Sequence, residues 1–159
     1  MGDWADTLRL LHVLSASVLF GTRLGGAFYL WRADRGGDMA VIGSVASNVV
    51  VAEALVITPA VIVQLGTGLA LAQTLGLPLA TPWLAGGLAL FAAIGVVWVP
   101  LVWLELRIAR LAAGQADGVG RGPAPWARHM RLWHALEWPV LALVIGIFAL
   151  MVFRPAAAG

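Results

Sequence analysis

At 159 residues the chain is 61% hydrophobic and only 11% charged, proportions outside those of soluble domains and suited to one compact unit within a membrane. The formal charge of +2 comes from ten basic residues, all arginine, which sit at the ends of apolar runs rather than on the clustered basic face that nucleic-acid binding needs. With no cysteine, disulfides, thiolate metal sites, iron–sulfur clusters and thiol catalysis are excluded.

Apolar patterning predicts a first helix over 8–31. Asp3 and Asp6 precede it where a signal peptide would carry positive charge, so this run is expected to remain as a membrane helix. Ser17, Gly21 and Gly25 recur every fourth residue and predict a ridge for close helix approach. His12 and Arg23 are eleven residues apart, which puts them on one face about 16 Å apart along the axis. The segment 32–38, with Gly36-Gly37 and mixed charge, predicts a loop.

A second helix is predicted over 39–73, longer than one perpendicular crossing requires. Pro59 removes a backbone donor and frees the carbonyl of Leu55, which predicts a bend. Glu53, Ala60, Gln64 and Thr67 share a face, and its polar members should look into a bundle because lipid cannot satisfy them. Residues 75–82 form a short turn with two prolines and a glycine.

The third helix is predicted over 83–112, kinked at Pro100, with Trp98 and Glu105 seven apart on one side. Arg107 and Arg110 follow Glu105 and suggest an ordinary interfacial position for it. Residues 114–125 (GQADGVGRGPAP) read as a flexible loop. The fourth helix, 128–153, opens on Arg128, His129 and Arg131 and closes on Arg154-Pro155. Its apolar part, 132–153, would be about 33 Å long, enough to cross a hydrocarbon core of about 30 Å. His134 and Glu137 lie three apart in its first turns and face the same way.

These elements predict an all-α, integral membrane four-helix bundle, a single transmembrane domain over 1–159. Arg32 and Arg35 follow the first helix, while Arg107, Arg110, Arg121, Arg128 and Arg131 lie between the third and fourth. Only Arg9 and Arg154 lie at the other side. By the positive-inside rule this predicts a multi-pass protein of the bacterial inner membrane with both termini outside. Trp4, Trp31, Trp83, Trp126 and Trp133 are expected at the interfaces as aromatic belts.

The ionisable residues then separate by depth. Arg23 lies about 12 Å inside the Trp31 end, where a lone arginine costs at least about 2.5 kcal/mol and calls for a partner or water. Glu53, Glu105 and Glu137 project toward the same half, so Arg23, Glu53, Glu105, His134 and Glu137 form a candidate buried polar cluster. It reads either as a structural ion pair or as a proton-titrating or anion-binding pocket; snorkelling of Arg23 to water is the third reading. A carboxylate beside His134 would orient its imidazole. His12, one turn inside the other end and near the level of Gln64 and Thr67, reads as a hydrogen-bonded packing residue or as a metal or heme ligand. His12 and His134 cannot bracket one heme iron: helix rise separates them by about 20 Å. Ser/His/Asp arrangements, phosphate-cradling glycine loops and HExxH zinc motifs are absent.

The runs LHVLSASVLFGTRLGGAFYLWR, ITPAVIVQLGTGLALA and VWVPLVWLELRIARLA, with the closing MVFRP, resemble a bacterial family of predicted integral membrane proteins of unknown function. More distantly the chain is similar to the HemJ-type protoporphyrinogen oxidases. The resemblance runs through His12, Gly21, Phe28, Tyr29 and Leu30 in the first helix, and Thr58, Pro59, Ala60 and Gly68 in the second. In the last it runs through Arg131, Trp133, Pro139, Arg154 and Pro155. It implies a membrane four-helix core with heme b ligated near His12; by their own positions in the chain, Gln64 and Thr67 would then be the groups behind the ligand, and Arg9 the nearest cation for the propionates. The third-helix lysine of the HemJ type has no counterpart here, and His134 stands where that type tends to have asparagine. Two functional classes follow. One is a heme-b-binding or redox-linked membrane component. The other is a non-enzymatic membrane subunit, or an accessory to small-solute or proton transport, built on a buried Arg–Glu core. The implied partners are the lipid bilayer and either a second copy of the chain or a membrane redox protein.

Overall fold

Two glycines set where the chain reverses. The computed structural model describes residues 2–114 and 124–154, and within them Gly37 (φ 74°) and Gly76 (φ 65°) take the left-handed conformation that glycine adopts without steric cost. Helix α1, Gly2–Gly36, ends at Gly37. Asp38 then caps α2, Met39–Ala52, by accepting the Ala40 N–H at 2.8 Å. A π-helical segment, Glu53–Ile57, joins α2 directly to α3, Thr58–Thr74. At the end of α3, Gly76 N–H bonds Gln73 O and Leu77 N–H bonds Ala72 O, the paired reversal of a Schellman motif. Helix α4, Pro82–Ala113, and helix α5, Ala124–Phe153, complete the chain.

Outside the short reversals the described residues are helical, with no strand among them, and four rods are long and apolar enough to cross a membrane: α1, the continuous α2–π–α3 rod, α4 and α5. Side chains such as Leu55, Ile62, Val96, Ile145 and Val152 face outward, as lipid-facing positions should.

Several boundaries differ from the sequence reading. The segment 32–38 is not a loop: α1 continues to Gly36, so Asp34 is helical and points along the bundle. The expected bend at Pro59 takes the form of a π turn just before it. Thr58 sends both its backbone N–H and its hydroxyl to Glu53 O, the latter at 2.8 Å, so the wider turn absorbs the donor that proline lacks. Residues 115–123 of the expected 114–125 loop, Arg121 among them, lie outside the described residues, as does Pro155.

Packing is uneven along the bundle. Helices α4 and α5 lie together along their length, α2 packs on α4, and α3 packs on α1. The main apolar core sits at the end near the α1–α2 turn, around Leu30, Ile42, Leu101, Ile108 and Trp133. Trp126 and Trp133 are buried in that core, so neither joins a lipid-facing belt. Trp83, by contrast, stacks under the Arg154 guanidinium at 5.4 Å and Trp31 under that of Arg35 at 5.7 Å.

Candidate functional site: a buried arginine among three glutamates

Arg23 sits where α1 is almost bare of side chains, among Gly21, Gly25 and Gly26, and its guanidinium therefore has room to turn inward. Its Nη1 donates to Glu53 Oε1 and, at 3.2 Å, to Glu105 Oε1; its Nη2 donates to Glu137 Oε2. One cation thus ties α1 to the π segment, to α4 and to α5. The Arg23 side chain is 11% exposed, that of Glu53 5%, and those of Glu105 and Glu137 are fully buried.

Each carboxylate arrives by a local feature of its helix. Glu53 opens the π segment. Its second oxygen accepts the indole N–H of Trp98 on α4 at 2.6 Å. Glu105 lies seven residues after Trp98 on α4 and accepts the Trp133 indole N–H at 3.1 Å through the oxygen that also meets Arg23. Trp133 and Glu137 are four apart on α5, hence on one face. Two carboxylate oxygens have no partner: Glu105 Oε2 and Glu137 Oε1.

Three carboxyls against one guanidinium would carry a net −2 if all were ionised. A charge of that size is not stable in a low-dielectric core, where even a matched pair must offset a desolvation penalty of several kcal/mol per ion. The cluster is short of positive charge by up to two protons or their equivalent. A cavity of about 430 Å³ lies between α1 and α2, walled by Gly21, Gly25 and Gly26 on one side and by Asn48 and Val49 on the other, with the cluster at its inner end. The expected packing ridge plays this part instead: a Cβ on Gly21 or Gly25 would touch nothing within 4 Å. Ser17 is exposed and bonds its own helix at Val13 O.

Arg23, Glu53, Glu105 and Glu137 of the expected cluster therefore meet. His134 does not join them. Its Nε2 lies 3.4 Å from Asp34 Oδ2 on α1, because α1 extends far enough to present that carboxylate, and its Nδ1 is buried without a partner. The interfacial position expected for Glu105 is also overturned, since the arginines after it occupy the next turn while its own side chain faces inward. The residues not singled out were Trp98 and Trp133 as cluster partners and Asp34 as the partner of His134; the seven-residue spacing of Trp98 to Glu105 and the four-residue spacing of Trp133 to Glu137 were the signals for the two tryptophans.

A second polar group joins α1 to α3 nearer the N-terminus of α1. His12 Nδ1 is 3.0 Å from Thr67 Oγ1, His12 Nε2 is 3.0 Å from Gln64 Nε2, and the Ser15 hydroxyl donates to Gln64 Oε1 at 2.5 Å. Thr67 spends its own proton on Val63 O at 2.6 Å. Its oxygen must then accept from an Nδ1–H, which leaves Nε2 to accept from the Gln64 amide. All of these donors and acceptors are matched.

The fit of heme to His12 follows from that network. The Nε2 lone pair that would meet iron already accepts from Gln64, and the ring lies so close to α3 that a Cβ on Gly68 would come within 3.0 Å of Cε1. Arg9, the expected propionate partner, is exposed and pairs with Asp6 at 2.7 Å. In this arrangement the residues at His12 do not fit a heme ligand set, and Gln64 and Thr67 serve the hydrogen-bonded helix contact. Among the described residues no cluster of three or more His, Asp or Glu side chains is arranged to hold a metal ion.

No curated protein and no solved structure matches the chain. Residues 6–155 match a family described as predicted integral membrane protein (DUF2269), which covers nearly the whole chain and all four spans. A multi-pass integral membrane protein carrying a buried arginine–glutamate core, the chain belongs to that family.

Proposed function

We propose that the protein is a proton-titrating membrane subunit: its buried cluster takes up and releases protons while the α1–α2 cavity admits water or a small polar solute. The observation that carries this reading is the mismatch of charge, one arginine held among three glutamates with two carboxylate oxygens unpartnered. A cluster built only to hold helices together would gain most from equal charges. Surplus carboxyls inside a membrane are instead the usual material of proton sites. Protons suit the two orphaned oxygens better than a larger cation does, because neither oxygen is reachable by solvent and Arg23 fills the space between the carboxyls.

Arg32 and Arg35 lie in the last turns of α1, Arg107 and Arg110 near the end of α4, and Arg128 and Arg131 near the start of α5, which supports an inner-membrane setting with that end in the cytoplasm. Proton uptake would then be read from the cytoplasmic side.

Infrared difference spectroscopy of the purified protein tests the reading. A protonated-carboxyl C=O band should grow on acidification and shrink in Glu105→Gln or Glu137→Gln. A wild-type protein with no titrating buried carboxyl band would end the proposal and leave a purely structural ion cluster.

A further inference from the structure

On one face of α5, two buried polar atoms are without a hydrogen-bond partner: His134 Nδ1 and Glu137 Oε1. Residues three apart on a helix are neighbours, with Cβ atoms about 5–6 Å apart. The other nitrogen of the same imidazole faces Asp34 Oδ2 at 3.4 Å, and the Asp34 side chain is 31% exposed. The other oxygen of the same Glu137 carboxyl is bonded to Arg23. A partly exposed carboxylate, an imidazole and a buried carboxyl thus stand in order from the surface to the cluster.

We infer that Asp34, His134 and Glu137 form the route by which protons enter and leave the Arg23 cluster, with a water bridging His134 Nδ1 and Glu137 Oε1. Two orphaned buried polar atoms, on side chains three apart along one helix face, are what such a water satisfies. This inference rests on the proton-titrating role proposed above.

The transfer balances without any other reactant. A proton taken from solvent by Asp34 passes to His134 Nε2. The imidazolium loses its Nδ1 proton to the bridging water, and that water loses one to Glu137 Oε1. The ring is left neutral with its proton on Nε2, and a ring flip then turns that N–H toward the bridging water and the free nitrogen toward Asp34, ready for the next proton. His134 meets Asp34 from α1 and the edge of Trp133 from its own helix, with ring centroids 5.1 Å apart. Glu137 meets Arg23 from α1, and Glu53 of the π segment and Glu105 of α4 across that guanidinium. The α1–α2 cavity is a second approach: it is lined by Arg23, Glu53, Glu105 and Glu137 but by neither His134 nor Asp34, so a proton entering there would bypass the imidazole and be unaffected by its replacement.

The experiment is a rapid acid jump on the full-length protein in detergent, following the buried carboxyl band in time. His134→Asn should reach the wild-type amplitude on the order of 10²-fold more slowly, the lower end of what a positioned proton-transferring side chain contributes. Asp34→Asn should slow the rise as well, and added imidazole should restore the rate in His134→Asn. A wild-type rate in folded His134→Asn overturns the route. So does a slowed rate that imidazole does not rescue and that comes with a changed amplitude, since His134 would then only hold structure. Absence of the band in the wild-type protein removes the titrating role itself, which is a different failure from loss of the route.

Discussion

Arg23 on α1 and Glu137 on α5 are 114 residues apart in the chain and share a charge-assisted hydrogen bond in its interior. The bond closes the bundle, because α1 otherwise packs mainly on α3 and α5 on α4. Replacing Arg23 by Leu should therefore both leave three carboxyls unpaired and loosen the contact between the two helix pairs. A loss of about 3–5 kcal/mol is the scale for breaking one buried ion pair. Thermal unfolding in detergent should show the drop, and the Arg23→Leu/Glu137→Gln double variant should recover part of it. Arg23→Lys should rank between wild type and Leu, since an ammonium keeps the charge but cannot fork across three acceptors. An unchanged midpoint in Arg23→Leu would contradict the closing role.

The two indole donors make a separate prediction. Trp98→Phe removes the 2.6 Å bond to Glu53 Oε2, and Trp133→Phe removes the 3.1 Å bond to Glu105 Oε1. Each keeps most of the ring volume, so the main effect is a buried acceptor left unsatisfied, about 1–3 kcal/mol. Trp133→Phe should be the milder, because Glu105 Oε1 still meets Arg23. In a double-variant cycle, Glu53→Gln should couple to Trp98→Phe and not to Trp133→Phe.

Membrane class and the four rods were legible because lipid demands long apolar helices, and composition alone reports that demand. The meeting of Arg23 with Glu53 and Glu137 was legible for a related reason: a deep arginine must find an acid. Glu105 was legible only in part. Its depth put it among the candidate partners of Arg23, while its neighbours Arg107 and Arg110 suggested an interface, and helix phase, read together with Trp98, turns its side chain inward. His134 was misplaced because glycines at 36 and 37 suggested an early end to α1. The helix instead continues through Asp34, and the imidazole takes that carboxylate in place of Glu137. Trp133 looked interfacial because tryptophan in membrane proteins usually is. Here its N–H is needed by a buried carboxylate.

Topology can be tested at the two reversals. Gly37 and Gly76 both adopt positive φ at the ends of helical rods, and the α2–π–α3 rod between them is long enough to span. Reporters inserted at 37 and at 76 should give opposite signals, with the cytoplasmic signal at 37. Equal signals would mean that this rod does not cross the membrane.

The last prediction separates glycines by what stands next to them. A Cβ on Gly68 would lie 3.0 Å from His12 Cε1, whereas a Cβ on Gly21 would touch nothing within 4 Å. The imidazole cannot easily yield, because Thr67 and Gln64 hold its two nitrogens and Ser15 holds Gln64. Gly68→Ala should therefore destabilise the protein by about 1–3 kcal/mol, the range for overpacking. Gly21→Ala should be neutral or slightly stabilising, since alanine is the better helix former by about 1 kcal/mol. Adding His12→Ala to Gly68→Ala tests the cause. It removes the clash but also abandons the hydrogen bonds of Gln64 and Thr67, so the double variant should be less destabilised than the sum of the two single changes. Strict additivity would place the Gly68 effect elsewhere than at the His12 ring.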